Sequence, residues 1–327
     1  MTMYRALYAT RGPVPQDVIA CVEFTLPPLA AGEVLLEVLA SPINPSDVLT
    51  LTGQYGMLPP LPAVGGNEGV GRVVEVTAGV ALRVGQRVAL PLGVGAWASH
   101  LIARADAVIP LPDGGDALQF SMMMVNPPTA SLLLSEFVSL EPGDWVLQNT
   151  ANSAVGRYLI QLARRRGLRT VNVVRRSDAV AGLEAAGGDV VLVDGPDLET
   201  RVAQATGKAK IRLGIDATGG SATDRVARSL AIGGTVVNYG AMSGEACKIA
   251  PGSFVFRDVT LRGFWLAFWF RKTPPERQRD LFTELASLIA DGTLHAPVLA
   301  TYPLARIKDA VAAAAAGRRD GKIIVVP

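Results

Sequence analysis

The chain has 327 residues, 49% of them apolar, with 34 glycines and a formal net charge of +2. That length is too great for one core and implies two domains, and the apolar fraction excludes a disordered chain. A charge so close to neutral, with Lys and Arg scattered apart from "RRRGLR", gives nucleic acid no obvious footprint.

The first third reads as short strands, "GEVLLEVLAS", "GRVVEVT" and "GQRVALPL", separated by Pro and Gly. Such spacing, with few helical patterns, predicts a compact, barrel-like all-β domain. Within it lies "LPAVGGNEGVGRVVEV", whose four glycines suggest a phosphate loop. Gly65, Gly66, Gly69 and Gly71 nevertheless miss the G-x-G-x-x-G spacing, because Val74 stands where the last glycine belongs. A β-branched run follows instead of a helix, so no helix N-terminus is offered to an anion.

From about residue 120 strands and helices alternate: "DWVLQN", "YLIQLARRRG", "RTVNVVRR", "VAGLEAAG", "DVVLVD", "LETRVAQATG", "IRLGIDATGG", "TDRVARSLAIGG", "TVVNYGA". This is the pattern of βαβ units around a parallel sheet. A last long helix, "PPERQRDLFTELASLIADG", leads to "ATYPL", an Ala-rich helix at 310–316 that packs closely, and a closing strand "KIIVVP".

The segment "DWVLQNTANSAVGRYLIQLARRRG" gives strand, tight turn and helix, the setting a dinucleotide fingerprint requires. Ala151, Ser153 and Gly156 occupy its three glycine positions, so only the last is intact. A purely structural βα turn is the other reading. At the end of the following strand an acidic residue would bind the ribose hydroxyls of NAD. Here Arg175 and Arg176 stand instead, with Ser177 beside them, a set suited to the 2′-phosphate of NADP. A basic strand end facing solvent is the plainer alternative. Further glycine-bearing strand ends, "DATGG" and "NYGAM", fall where a parallel sheet presents its ligand crevice.

Two cysteines, Cys21 and Cys247, build no disulfide framework. The isolated histidines His100 and His295 show no metal-ligand spacing, and no metal is expected. The N-terminal "MTMYRALYATRG" lacks the apolar core of a secretion signal, and no apolar run reaches the roughly 18 residues of a membrane span. A cytoplasmic setting without a membrane partner is the expectation.

Taken together, "SPINPSDVLTLTGQYGMLPPLPAVGGNEGVGRV", "QNTANSAVGRYLIQLARRRGLRTVNVVRR", "VNYGAM" and "LRGFWLAFW" resemble the medium-chain dehydrogenase/reductase superfamily, over nearly the whole chain. Within it the resemblance is to the zinc-free, mitochondrial-type trans-2-enoyl thioester reductases. It implies an α/β fold: a Rossmann doubly wound parallel sheet domain at 121–291, plus a β-rich GroES-like barrel domain from 1–120 and 292–327. Zinc-dependent relatives carry a cysteine in the segment matching "NPSD" and a histidine in a G-H-E motif. Asn44 and Asn67 stand at those places, and neutral amides are poor zinc ligands.

The resemblance implies NADPH-dependent reduction of the C2=C3 bond of an enoyl-CoA or enoyl-ACP thioester. Hydride goes to the β-carbon, and the enolate that forms needs hydrogen-bond donors and a proton at the α-carbon. Tyr55, in "TGQYG", matches the family's proton donor or substrate-orienting residue, and a phenol keeps its proton at neutral pH. Cofactor positions carry over to Asn126, Asn152, Ser153, Ala154, Val155, Gly156, Arg175, Arg176, Ser177, Tyr239, Gly240, Ala241, Met242, Phe264, Trp265, Leu266 and Lys322. Trp265 is the residue expected to line the crevice between nicotinamide and acyl chain. Arg176 departs from the family, which commonly has an acid there, and "NPPTAS" has an additional proline. A homodimer is implied by resemblance only. Two rivals stay open: an NADPH:quinone oxidoreductase, and a non-catalytic, crystallin-like NADPH-binding protein. Glu68 is expected to be a structural carboxylate, its partner not readable from the sequence.

Overall fold

The computed structural model describes residues 2–317 and 319–327. It divides into two compact units, Met1–Val125 with Pro275–Pro327, and Asn126–Pro274. Against the expected boundaries, the long helix Pro275–Ala290 groups with the first unit. Its buried Phe282, Leu285, Ala286, Leu288 and Ile289 form one face, and it packs on the short helix Ala117–Phe120.

The strands, in chain order, are β1 (Met3–Tyr8), β2 (Ile19–Phe24), β3 (Glu33–Pro42), β4 (Ala63–Val64), β5 (Val70–Val76), β6 (Arg87–Ala89), β7 (His100–Arg104) and β8 (Ile109–Pro110). They continue with β9 (Trp145–Gln148), β10 (Arg169–Val174), β11 (Val190–Val193), β12 (Leu213–Asp216), β13 (Thr235–Asn238), β14 (Thr260–Gly263), β15 (Val298–Pro303) and β16 (Lys322–Val326).

The first unit is β-rich, as the strand spacing predicts. One sheet runs β2-β1-β4; the other runs β15-β16-β3-β5-β6-β8, with β7 also paired to β3. The ten-residue β3 is the hub, antiparallel to β5, β7 and β16. Its alternation carries Val34, Leu36, Val38 and Ala40 into the interior. There they join Val73, Val88, Leu90, Ala96 and Leu101 in one core cluster. The C-terminal segment completes a second cluster, in which Ile307, Ala310, Val311 and Ala314 of the Ala-rich helix meet Tyr8, Ile43, Leu51 and Trp97. Within the Ala-rich run, Ala310 and Ala314 are the small buried residues that allow close packing, while Ala315 and Ala316 face solvent.

The glycine loop is explained by Trp97. The fully buried indole lies against Gly65 and Gly66, where an added Cβ would fall 2.2 Å and 2.6 Å from its ring atoms. The backbones are tied as well, Trp97 N donating to Gly65 O at 2.9 Å and Ala96 N to Gly66 O at 3.0 Å. Of the loop's four glycines only Gly66 takes a positive φ, so these glycines serve close approach more than tight turning.

The second unit holds six parallel strands in the order β11-β10-β9-β12-β13-β14. The chain winds outward from β9 to one side, then resumes at β12 on the other. That reversal is the topological switch point of a doubly wound sheet, and ligands bind beyond the carboxyl ends of the strands there. Leu147, Val171, Val173, Val226 and Val236 fill one of its cores.

Candidate functional site

The turn after β9 runs straight into the N-terminus of a helix. Ser153 caps the helix Ala154–Arg165, its Oγ accepting from Gly156 N at 3.1 Å. Gln148 steadies the first turn from the strand side, its Nε2 donating to Gly156 O at 3.0 Å and to Asn172 Oδ1 at 2.8 Å. A Cβ added at Gly156 would lie 2.3 Å from the carbonyl oxygen of Ala151, so only glycine lets helix and turn approach this closely. The helix has 12 residues, long enough for its N-terminus to favour an anion.

Asp216, fully buried at the end of β12, ties the neighbouring strand ends together. Its carboxylate accepts from Asn149 Nδ2 at 2.6 Å, Thr223 Oγ1 at 2.7 Å, Thr218 N at 2.9 Å and Asn238 Nδ2 at 3.0 Å. Asn149 follows β9 and Asn238 ends β13, so one carboxylate fixes both sides of the switch point. Thr150 and Thr218 share a further 2.9 Å hydrogen bond. The loop after β13 is held by Tyr239 N to Asp216 O and Met242 N to Ala217 O, at 3.0 and 3.1 Å. The Tyr239 hydroxyl hydrogen-bonds with Ser153, and burial pushes the phenol up against that bond. This brings Ser153 and Tyr239, drawn from separate motifs, into contact.

At the end of β10 the two arginines part company. Arg175 is exposed, with no ion pair or hydrogen bond among the described residues. Arg176 Nε donates to Asp178 Oδ1 at 2.9 Å. Elsewhere in this unit, Asn126 opens the buried helix Asn126–Leu133, with both prolines of "NPPTAS" in its first turn. Phe264 N donates to Asn238 O at 2.8 Å, and the Phe264 ring meets Phe137 edge-on at 5.9 Å. Trp265 and Phe268 are also edge-on, 4.9 Å apart, and the Arg271 guanidinium lies 5.7 Å from each ring. Leu266 begins the helix that follows.

The first unit holds a buried polar corner around Asn44, the position that the resemblance matches to a cysteine of zinc-dependent enzymes. Asn44 Nδ2 donates to Glu68 Oε1 at 2.7 Å, and Lys322 Nζ donates to Asn44 Oδ1. Val125 N donates to the other oxygen of Glu68 at 2.9 Å. Asn44 also caps the helix Pro45–Thr52 in a capping box with Asp47. Asp47 Oδ2 receives Asn44 N at 2.7 Å and Asp47 Oδ1 receives Asn67 N at 3.0 Å. All three ionisable groups are buried. Burial pushes Asp47 up to about 6 and also raises Glu68, while it lowers Lys322. The nearby charges of Glu68 and Lys322 partly hold each other ionised.

A zinc ion does not fit this donor set. The amide of Asn44 is spent on both ends, and the corner already contains an ammonium. Among the described residues there is no cluster of three His, Cys, Asp or Glu able to hold a metal. No helix of the described residues is long and apolar enough to cross a membrane.

Tyr55 lies just beyond the helix Pro45–Thr52, its N–H donating to Leu49 O at 3.1 Å and its ring half-buried. The residues after it, Met57, Leu58 and Leu61, are exposed. Sequence reasoning missed Asp47, Asn149, Asp178 and Asp216. The N-P-S-D order around Asn44 is a readable capping signal, and an acid ending a buried strand marks Asp216.

Two family models match the chain, the alcohol dehydrogenase GroES-like domain over residues 30–113 and the zinc-binding dehydrogenase over 154–285. The mitochondrial enoyl-[acyl-carrier-protein] reductase of Rattus norvegicus is 37% identical over 310 residues, covering 91% of this chain and 82% of that protein. Among solved structures, a putative NADPH:quinone reductase from Bacillus thuringiensis has a TM-score of 0.91 and 30% identity, covering 100% of this chain and 99% of that one. The complex of Etr1p with NADP and crotonyl-CoA has a TM-score of 0.89 and 25% identity, with 100% of both chains covered. Etr1p is a mitochondrial 2-enoyl thioester reductase subunit of Candida tropicalis, seen also as a heterodimer with Etr2p.

Proposed function

The chain belongs to the medium-chain dehydrogenase/reductase superfamily and, within it, to the family of the mitochondrial enoyl-[acyl-carrier-protein] reductases; from this premise we propose that it reduces the C2=C3 bond of trans-2-enoyl thioesters with NADPH. The observation that carries the choice among the superfamily's activities is the corner around Asn44. Polarising an alcohol or ketone there would call for a metal cation, whereas the corner holds Lys322, Asn44 and Glu68. A thioester-conjugated double bond needs only hydrogen-bond donors for the developing enolate oxygen and one proton for C2.

NADPH, when bound, supplies the hydride that C3 receives. The residues that would hold it fit the task. The turn Asn152–Gly156 offers backbone N–H groups at a helix N-terminus to the pyrophosphate. Arg175, with Ser177 beside it, offers a guanidinium and a hydroxyl to the 2′-phosphate. Tyr239, Gly240, Ala241, Met242, Phe264, Trp265 and Leu266 line the strand ends beyond β13 and β14. Asn126 and Lys322 complete the set assigned by resemblance. Tyr55 orients the thioester and delivers the proton to C2, its backbone fixed by the end of the preceding helix.

The reading extends to a homodimer. β14 ends its sheet, with no strand on its outer side among the described residues. Beside it the helix Pro251–Arg257 exposes Phe254, Val255 and Phe256. An open edge flanked by exposed aromatics suits pairing with a second copy. A cytoplasmic setting is proposed as well, supported by two free cysteines and differing from the relatives named as mitochondrial.

The likeness to the Bacillus protein favours a second reading, NADPH:quinone reduction. Steady-state assays with crotonyl-CoA, longer enoyl thioesters and a benzoquinone, each with NADPH, decide between them. Saturable turnover of the thioesters is expected. Turnover of the quinone alone would overturn the proposal.

A further inference from the structure

The turn after β10 contains a carboxylate that the NADPH reading leaves without a role. Val174, the last residue of β10, is fully buried, and the chain then leaves the sheet as Arg175, Arg176, Ser177 and Asp178. A single 3₁₀ turn, Ser177–Ala179, brings residues 176 and 178 together. The Arg176 side chain, about one-third exposed, is held by Asp178 at 2.9 Å, while Arg175 projects into solvent. The one acid of this turn thus stands two positions after Arg176 and in contact with it.

From this geometry we infer that Asp178 and Arg176 together set the preference for NADPH over NADH, with Arg176 neutralising Asp178 rather than gripping the 2′-phosphate. The inference rests on the NADPH reading above. A phosphate monoester carries about −1.5 to −2 charges at neutral pH, so a bare carboxylate in the same turn repels it. Two arginines and one aspartate leave the turn a net single positive charge. Arg175 has its fork of donors free for the phosphate, and Ser177 stands next to it with a hydroxyl. The Nε edge of Arg176 is already engaged with Asp178. Were Arg176 to turn to the phosphate, it would leave Asp178 unpaired beside a dianion. NADH has no 2′-phosphate and is indifferent to the exchange.

The test is a cycle of variants on the full chain, with dissociation constants for NADPH and NADH read from nicotinamide fluorescence. Arg176→Ala should weaken NADPH about tenfold and leave NADH within about twofold. Asp178→Asn should tighten NADPH several-fold, because Arg176 is released as a second donor. The decisive member is Arg176→Ala combined with Asp178→Asn, which should return NADPH affinity to within about threefold of the starting protein. A double variant as weak as Arg176→Ala alone would make Arg176 a direct phosphate ligand and overturn the inference. So would an Asp178→Asn protein with an unchanged NADPH-to-NADH ratio. Arg175→Ala separates this from the underlying reading. If it weakens both cofactors equally, the 2′-phosphate assignment fails, whatever the other variants do. The turn is exposed, and a thermal melt of each variant checks that folding is intact.

Discussion

Asn44 and Glu68 are joined by a 2.7 Å hydrogen bond from the amide nitrogen to Oε1, with both side chains buried. Because the amide oxygen of Asn44 accepts from Lys322, one neutral side chain links a buried cation to a buried anion. Only a group with a donor at one end and an acceptor at the other can do this.

Asn44→Leu removes both contacts at once. Breaking one side of a buried ionic network costs about 3–5 kcal/mol, and a loss of that order is expected in urea unfolding. Glu68→Gln keeps the shape and should cost less. A stability unchanged by Asn44→Leu would mean that the bridge contributes nothing.

Asp47 gives the fold a pH signature. Its folded-state value, raised from 3.8 to about 6 by burial, means that the native state holds the proton more tightly than the unfolded chain. The stability it contributes is full below about pH 4 and is lost as pH rises through about 6. Asp47→Asn abolishes the titration. Its melting temperature relative to the parent should therefore improve as pH rises from 4.5 to 7.5, by an amount equivalent to roughly 1–3 kcal/mol. Parallel melting curves of the two proteins across that range would refute the assignment.

At Gly156 the 2.3 Å approach to Ala151 O is to backbone, which has little freedom to retreat. Gly156→Ala should cost about 1–3 kcal/mol of stability through overpacking. It should also weaken NADPH at least tenfold, by displacing the amides of the turn. Calorimetric titration with NADPH checks the second effect separately from the first.

Tyr55→Phe keeps the ring and removes the proton. A lost general acid typically costs 10²–10⁴ in rate, so kcat with crotonyl-CoA should fall by about that factor while the NADPH dissociation constant holds within twofold. Unchanged turnover would remove Tyr55 from catalysis.

For the dimer, Phe256→Asp places a charge on the exposed face of the helix Pro251–Arg257, beside the open edge of β14. Light scattering after size exclusion should read a dimer for the parent chain and a monomer for the variant. A monomeric parent would end the proposal.

Much of the architecture was legible because it depends on local periodicity. The alternation in "GEVLLEVLAS" gives β3, and the strand–helix rhythm after residue 120 gives the parallel sheet. The helix Pro275–Ala290 was legible as a helix, but not as a member of the first unit. A periodic apolar face says that a helix packs, not on which core. Glu68 illustrates the same boundary. Its partners, Asn44 and Val125, come from other segments, and no motif encodes such a meeting. The capping box at Asn44 was written in four consecutive residues and needed only to be read. The contact of Asp178 with Arg176 depends on the backbone of a single turn, which the order of the residues alone does not reveal.

The contact of Trp97 with Gly65 and Gly66 has a consequence for how this sequence can drift. The three positions share one fixed volume, already filled by the indole. A larger side chain at 65 or 66 can be inherited only if 97 shrinks first, through a Phe or Leu that leaves a hole in the meantime. Each path passes through a destabilised ancestor. The loop and the tryptophan should therefore change together or not at all, and among homologues their sizes should be anticorrelated.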